Sequence, residues 1–289
     1  MIDSCKSVRE LRALILSQKV SVKEVVAHYC LKSYTIGRER WYTADECYTS
    51  ALKEAEIKDK ELKEAVKQGK NLDKEFGLFF GIPFSVKDQI YVKGMISSMG
   101  VGSRADKVVD KDAVSVELIK RQGGIPFVHG NCSEACLYIV TKSIIWGDAK
   151  HPQDSNRTTG GSSGGDAGLI ATGCSPFALG SDYAGSIRIP SLLCGTVGFC
   201  PTHERHSIRG LSCYTDRDGV FIKPFRPAIG PMGRCVDDVV DGIRALCSGD
   251  ISDYDLSVPN VKFDEDMFNK TLNKKLRIGV ITNFNNIDM

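Results

Sequence analysis

The stretch that most constrains this 289-residue sequence runs over residues 159–190, TGGSSGGDAGLIATGCSPFALGSDYAGSIRIP. It carries two clusters, Gly160-Gly161-Ser162-Ser163-Gly164-Gly165 and Gly180-Ser181-Asp182-Tyr183-Ala184-Gly185-Ser186. Glycine lets a backbone approach another group closely and adopt φ > 0. Serine supplies hydroxyls that attack, relay protons or cap helices. Residues 166–172 read as a short helix, 177–180 as a strand and 186–194 as a helix. The expectation is that both serine clusters meet in one site.

The rest of the chain has the rhythm of an α/β protein. Residues 8–18 carry Val8, Leu11, Leu14 and Ile15 at helical spacing,. Ser21-Val22-Lys23-Glu24 is a capping box that starts a second helix, predicted to run to about Gly37,. Residues 45–68 predict a long exposed helix laced with (i, i+4) charge pairs, a solvated face rather than a binding surface,. Residues 79–87, FFGIPFSVK, read as a turn entering a buried strand,. Asp112 is expected to cap a helix through Lys120, ended by Gly123-Gly124, with a strand at 125–128,. Residues 138–159 read as loop and 214–231 as a turn-rich stretch. A helix at 236–247 and a buried strand at 276–281, LRIGVI, follow. Helix followed by short apolar strand is the mark of an α/β sheet. The expected organisation is one domain over 1–289, with a helical segment at 1–75 and a catalytic α/β core at 76–289. A terminal core strand normally has neighbours and a covering helix, so the chain reads as C-terminally truncated.

Composition narrows the function classes. Formal net charge is +2, from 38 basic and 36 acidic residues, which gives no electrostatic case for a nucleic-acid partner,. The 11 cysteines form no CxxC pair and read as free, mostly buried thiols of a reducing compartment,. The N-terminus has no apolar core of a signal peptide, and no apolar run is long enough for a transmembrane helix,. The expected location is therefore intracellular, cytoplasmic or peripherally membrane-associated, with a peripheral membrane contact and a homodimer both left open.

Several chemistries compete for the serines. Gly160-x-Ser162-x-Gly164 and Gly161-x-Ser163-x-Gly165 match a nucleophile elbow, but polar residues 154–159 stand where the elbow needs a hydrophobic strand,. No Gly-Lys-Ser/Thr follows, which argues against a phosphate loop. Asp182 to Arg188 lies between a strand and a helix, where successive N–H groups converge on one spot as an oxyanion hole,. Serine nucleophiles need a base. His28, His129, His151, His203 and His206 are candidates, as is Lys87, which follows an apolar run. His203 and His206 lack a third partner for a metal, and no metal is expected,.

Together Gly81-Ile-Pro-Phe-Ser-Val-Lys87-Asp88, GGSSGG at 160–165, GSDYAGSIRIPS at 180–191, Cys194-Gly195 and Pro201-Thr202 resemble the amidase signature family of serine hydrolases. Within it, the N-terminal helices, PFVH at 126–129 and SIRIPSLLCG at 186–195 are similar to the fatty acid amide hydrolase branch. The resemblance implies a mixed central sheet covered by helices on both faces, with N-terminal helices and a C-terminal part missing from this chain. It implies a Ser-Ser-Lys triad: Ser186 as nucleophile, Ser162 as bridging serine after a cis peptide bond, and Lys87 as base. The N–H groups of Tyr183, Ala184, Gly185 and Ser186 would form the oxyanion hole. Cys136 would contact the bound acyl group through its backbone, and Ser163, Asp182 and Arg188 would be supports. The implied activity is cleavage of amides, lipid amides such as N-acylethanolamines foremost, through an acyl-enzyme and without a cofactor. An amidotransferase A subunit and a non-catalytic remnant are the alternatives. Ala184 departs from the family pattern, which often has glycine there.

Overall fold

The computed structural model describes residues 1–212, 227–249, 251–272, 274–280, 283–284 and 287–288. Its helices are α1 (Val8–Leu16), α2 (Val22–Lys32), α3 (Tyr48–Lys67), α4 (Leu72–Glu75), α5 (Val114–Arg121), α6 (Gly164–Ala171), α7 (Arg188–Cys194), α8 (Val236–Leu246) and α9 (Glu265–Leu272). Its strands are β1 (Thr43–Glu46), β2 (Pro83–Lys87), β3 (Ile125–Gly130), β4 (Lys142–Ser143), β5 (Gly147–Asp148), β6 (Phe177–Asp182), β7 (Val197–Gly198), β8 (Ala228–Gly233), β9 (Asn283–Phe284) and β10 (Ile287–Asp288).

The central sheet has the order β1-β3-β2-β6-β8-β7. β3, β2 and β6 run parallel; β1, β8 and β7 are antiparallel to their neighbours. β2 is buried at all five positions. Alternate side chains of a strand point to opposite faces, so both faces are covered here. Ser85 reaches Asp166 of α6 on one side, and Phe84 packs toward Phe177 on the other. Lys87 shares the Ser85 face and ends the strand.

The N-terminal helices form as their sequence dictates. Ser21 and Glu24 complete the capping box, and Val22, Val25, Val26 and Tyr29 bury one stripe of α2,. A wider turn at Ser33–Gly37 carries the helical path on to Gly37.

Four local expectations are overturned. The helix expected from residue 45 begins at Tyr48, because Thr43–Glu46 pair with β3 as the edge strand. Asp112 does not cap α5, whose N-cap is Ala113. Its carboxylate instead accepts the Lys93 N–H and the Lys120 ammonium. Within the expected turn-rich stretch, residues 213–226 lie outside the described residues, but Ala228–Gly233 is a strand paired with β6 along its full length. Residues 276–280 of LRIGVI form no strand, and Leu276, Ile278 and Val280 are 55%, 80% and 76% exposed. No described strand pairs with them.

Candidate active site

Parallel pairing of β2 with β6 sets Val86 beside Leu179, so Lys87, at the end of β2, comes up beside Ser181 of β6. Lys87 is fully buried. Its Nζ lies 2.6 Å from Ser162 Oγ, 2.9 Å from Ser181 Oγ and 3.4 Å from the Ser181 carbonyl oxygen. All of these partners are neutral oxygens. Asp88, next in sequence, turns its carboxylate away to the Ser98 hydroxyl and the N–H groups of Ser98 and Gly100.

Ser162 follows a cis Gly161–Ser162 peptide, as the resemblance implied. Its carbonyl accepts the Ser133 N–H at 3.3 Å. Two residues on, α6 opens inside the first glycine cluster, two residues earlier than the sequence pattern placed it. The glycines are needed there for space. A Cβ on Gly165 would stand 2.5 Å from the carbonyl oxygens of Asn131 and Tyr42.

The second cluster is held by Asp182, whose side chain is completely buried. Its carboxylate accepts the N–H groups of Gly185, Ile187 and Arg188 at 2.7, 3.1 and 3.3 Å. The Arg188 guanidinium adds two bonds of 3.0 Å. Burial disfavours this carboxylate, but Arg188 and the three N–H donors outweigh it and pull its pKa down to about 2,. The turn they shape puts Gly185 at φ +117° and leaves Ala184 without positive φ, so alanine is tolerated where glycine was expected,. Ser186 is half-buried at the start of α7.

The expected oxyanion donors divide. The N–H groups of Ala184 and Ser186 have no protein acceptor among the described residues. Gly185, expected in the same set, gives its N–H to Asp182 instead. Tyr183 lies on the exposed side of the turn. Ser163 supports through its backbone, its N–H donating to the Ser186 carbonyl at 3.1 Å. Cys136 sits at φ +58° with its Sγ 3.6 Å from Cys132 Sγ. Among the described residues Ser186 Oγ has no hydrogen bond to Ser162 Oγ; such bonds often tighten only with substrate in place,.

Among the described residues no hydrogen bond joins a histidine to either serine. His28 faces Asp3, His129 Nδ1 faces the Ile96 carbonyl beside Asp88, and His151 Nε2 faces the Leu193 carbonyl. His206 is buried, and desolvation lowers its pKa to about 4. No cluster of metal-ligating side chains occurs among the described residues.

Sequence reasoning missed the second coordination partner of Lys87. Ser181 Oγ donates to Gln89 Oε1 at 2.7 Å, and Gln89 Nε2 donates to the Ser212 carbonyl at 3.0 Å. The signal was a serine inside the second cluster and a glutamine two residues after Lys87. Their convergence depends on strand register, which the motif does not encode.

The amidase family model matches residues 24–289. The chain belongs to the amidase family. It is 40% identical over 207 residues to the vitamin D3 hydroxylase-associated protein of Gallus gallus, covering 71% of this chain and 43% of that protein. It is 32% identical over 266 residues to fatty-acid amide hydrolase 1 of Sus scrofa, covering 92% of this chain and 42% of the relative. A solved fatty acid amide hydrolase superposes with a TM-score of 0.79 at 25% identity, covering 90% of this chain and 44% of that one. The amidase-family chain thus spans less than half the length of these relatives, and its mixed sheet and helices are those of their fold. No helix among its described residues is long and apolar enough to cross a membrane.

Proposed function

We propose that this chain carries the catalytic centre of an amide hydrolase working through Lys87, Ser162 and Ser186. The observation that supports this reading is the buried 2.6 Å approach of Lys87 Nζ to Ser162 Oγ, one residue from the backbone bond that ties in Ser186. Lys87 accepts the Ser162 proton while Ser162 takes that of Ser186. Ser186 Oγ then bonds to the amide carbon, and the carbonyl oxygen gathers negative charge opposite the N–H groups of Ala184 and Ser186. The C–N bond breaks as the relay returns a proton to the leaving amine. Water cleaves the acyl-Ser186 ester by the same route.

The proposed substrate is an apolar, lipid-like amide. Gly161 abuts the backbone of Tyr138, Ile139 and Val140, so the exposed apolar run Leu137-Tyr138-Ile139-Val140 borders the relay serine. Leu192 and Leu193 of α7 are also exposed, and Leu193 abuts Gly160 on the other side. Labelling with a fluorophosphonate tests the assignment. A covalent adduct on Ser186 that disappears in Ser186→Ala supports it; an adduct unchanged by that substitution ends it. Faster release of a long-chain than a short-chain acyl amide would support the substrate class, and the reverse order would exclude it.

A further inference from the structure

Two thiols meet at the wall of this site. Cys132 lies just past the end of β3 and is fully buried. The next turn reverses through two consecutive residues in the left-handed region, Ala135 at φ +54° and Cys136 at φ +58°. That reversal returns Cys136 Sγ to 3.6 Å from Cys132 Sγ. A disulfide has S–S of about 2.05 Å, so a shift of roughly 1.5 Å closes the gap. Among the described residues no other pair of cysteines has sulfur atoms in contact.

The two sulfurs are not equivalent. Cys136 is the less buried residue of the two, Cys132 being fully enclosed. Burial disfavours the Cys136 thiolate, but its hydrogen bond to Cys132, the Ser162 hydroxyl and Lys87 in its protonated form outweigh it, holding its pKa below that of an ordinary thiol. The Cys132 thiol is pushed well above, by its bond to Cys136 and by burial. The thiolate is the reactive form.

We propose that Cys132 and Cys136 are a peroxide-oxidised dithiol whose closure to a disulfide disables the Ser162 relay. Cys136 thiolate attacks one oxygen of hydrogen peroxide; the S–O bond forms, the O–O bond breaks and hydroxide leaves to become water. Cys132, giving up its proton, attacks the resulting sulfenic sulfur; the S–S bond forms and the S–O bond breaks with loss of a second water. The two thiols lose two electrons and the peroxide gains them. A dithiol reductant reverses the change.

The link to the relay is the turn itself. Cys136 N–H donates to the Ser133 carbonyl at 2.8 Å, Tyr138 N–H to Ser133 Oγ at 3.3 Å, and Ser133 N–H to the Ser162 carbonyl at 3.3 Å. Drawing Cys136 toward Cys132 pulls on Ser133, the residue that holds the Ser162 backbone.

The test treats the purified chain with hydrogen peroxide, alkylates free thiols and maps the tryptic peptide over residues 122–142, which holds these two cysteines and no other. Loss of two hydrogens with no alkylation, reversed by dithiothreitol, is the expected result. Cys132→Ala, or Cys132→Val should the smaller residue unfold the site, should stop at a dimedone-trapped sulfenic acid on Cys136. Two alkylatable thiols after peroxide, or a disulfide to another cysteine, overturn the proposal. The second readout is fluorophosphonate labelling of Ser186, expected to slow about a hundredfold in the oxidised chain, the scale of a lost general base. Unchanged labelling of the disulfide form overturns the coupling. The coupling rests on the proposed function, whereas the mapping does not. A reduced chain that is never labelled therefore sinks the hydrolase reading without touching the dithiol result.

Discussion

Ser163 donates its backbone N–H to the Ser186 carbonyl oxygen at 3.1 Å, and this bond joins the two serine clusters into one site. The neighbour of Ser163 is Ser162, whose hydroxyl lies against Lys87 Nζ. The proposed base and relay are thus set by a side-chain contact, and the proposed relay and nucleophile by a backbone contact. Side-chain substitutions should therefore separate proton transfer from placement.

Ser162→Ala and Lys87→Ala should each slow fluorophosphonate labelling of Ser186 about 10²–10⁴-fold, the range for a removed general base. The double variant should be no worse than the poorer single one, since groups that act as one unit are not additive. Rate constants for the four chains decide this. Multiplying losses would show two independent roles and exclude the relay.

Ser181→Ala and Gln89→Ala should act more mildly and in parallel. Ser181 Oγ bridges Lys87 Nζ to Gln89 Oε1, so either change loosens the amine without removing it. Deleting one buried hydrogen-bond partner costs about 1–3 kcal/mol. Labelling should slow by about tenfold, the rate equivalent of 1.4 kcal/mol. Lys87→Ala combined with Ser181→Ala should show no further loss of rate. An additional loss would give Ser181 a role of its own.

The legibility of this fold in sequence follows physical lines. β2 and β6 were readable because FSV and FAL are short apolar runs bounded by turn residues,. β8, AIGPMG, was not, since two glycines and a proline argue against a strand,. β7 flanks it only at Met232 and Gly233, so Pro231 lies outside that pairing, its carbonyl accepting the Phe199 N–H at 3.1 Å. Asp45 and Glu46 looked like the start of a helix because the pairing of Thr43–Glu46 with β3 is a tertiary event with no local mark,. LRIGVI was over-read: apolarity licenses burial but does not supply a neighbour. At the site, the motif singled out Lys87, Ser162 and Ser186 as candidates, and the structure brings Lys87 against Ser162. The commitment of the Gly185 N–H to Asp182 depends on how the turn closes, which spacing alone does not fix.

Asp166 should give the protein a pH-dependent stability above the acid range. Its side chain is fully buried, Ser85 Oγ donates to Oδ1 at 2.7 Å, and Oδ2 has no partner among the described residues. Desolvation dominates and raises its pKa from 3.8 to about 7, although Ser85 and Lys87 favour the charged form. The folded chain therefore holds a proton that the unfolded chain has released. Its contribution is full below about pH 4 and is lost as pH rises through 7. His206, lowered to about 4, acts in the opposite direction over part of this window, so the comparison must be with a variant. The melting-temperature difference between wild type and Asp166→Asn should fall steadily from pH 4 to pH 8, moving in favour of the variant. A difference independent of pH would show that Asp166 is charged in the fold.

Gly165→Ala should destabilise the chain by about 3 kcal/mol or more, the upper end for over-packing. The new methyl would meet the carbonyl oxygens of Asn131 and Tyr42, which are backbone atoms and cannot swing aside as a side chain would. Gly165 N–H already donates to the Asn131 carbonyl at 2.9 Å, so relieving the clash by moving α6 breaks that bond as well. Gly279→Ala is the matched control: nothing lies within 4 Å of its Cβ position and its φ is unexceptional, so its effect should stay within about 0.5 kcal/mol,. Urea unfolding of both variants measures the contrast. Because α6 begins directly after Ser162-Ser163, the shift should also slow Ser186 labelling in the folded fraction of Gly165→Ala. A destabilised variant with an unaltered labelling rate would mean that the glycines of the first cluster serve packing alone.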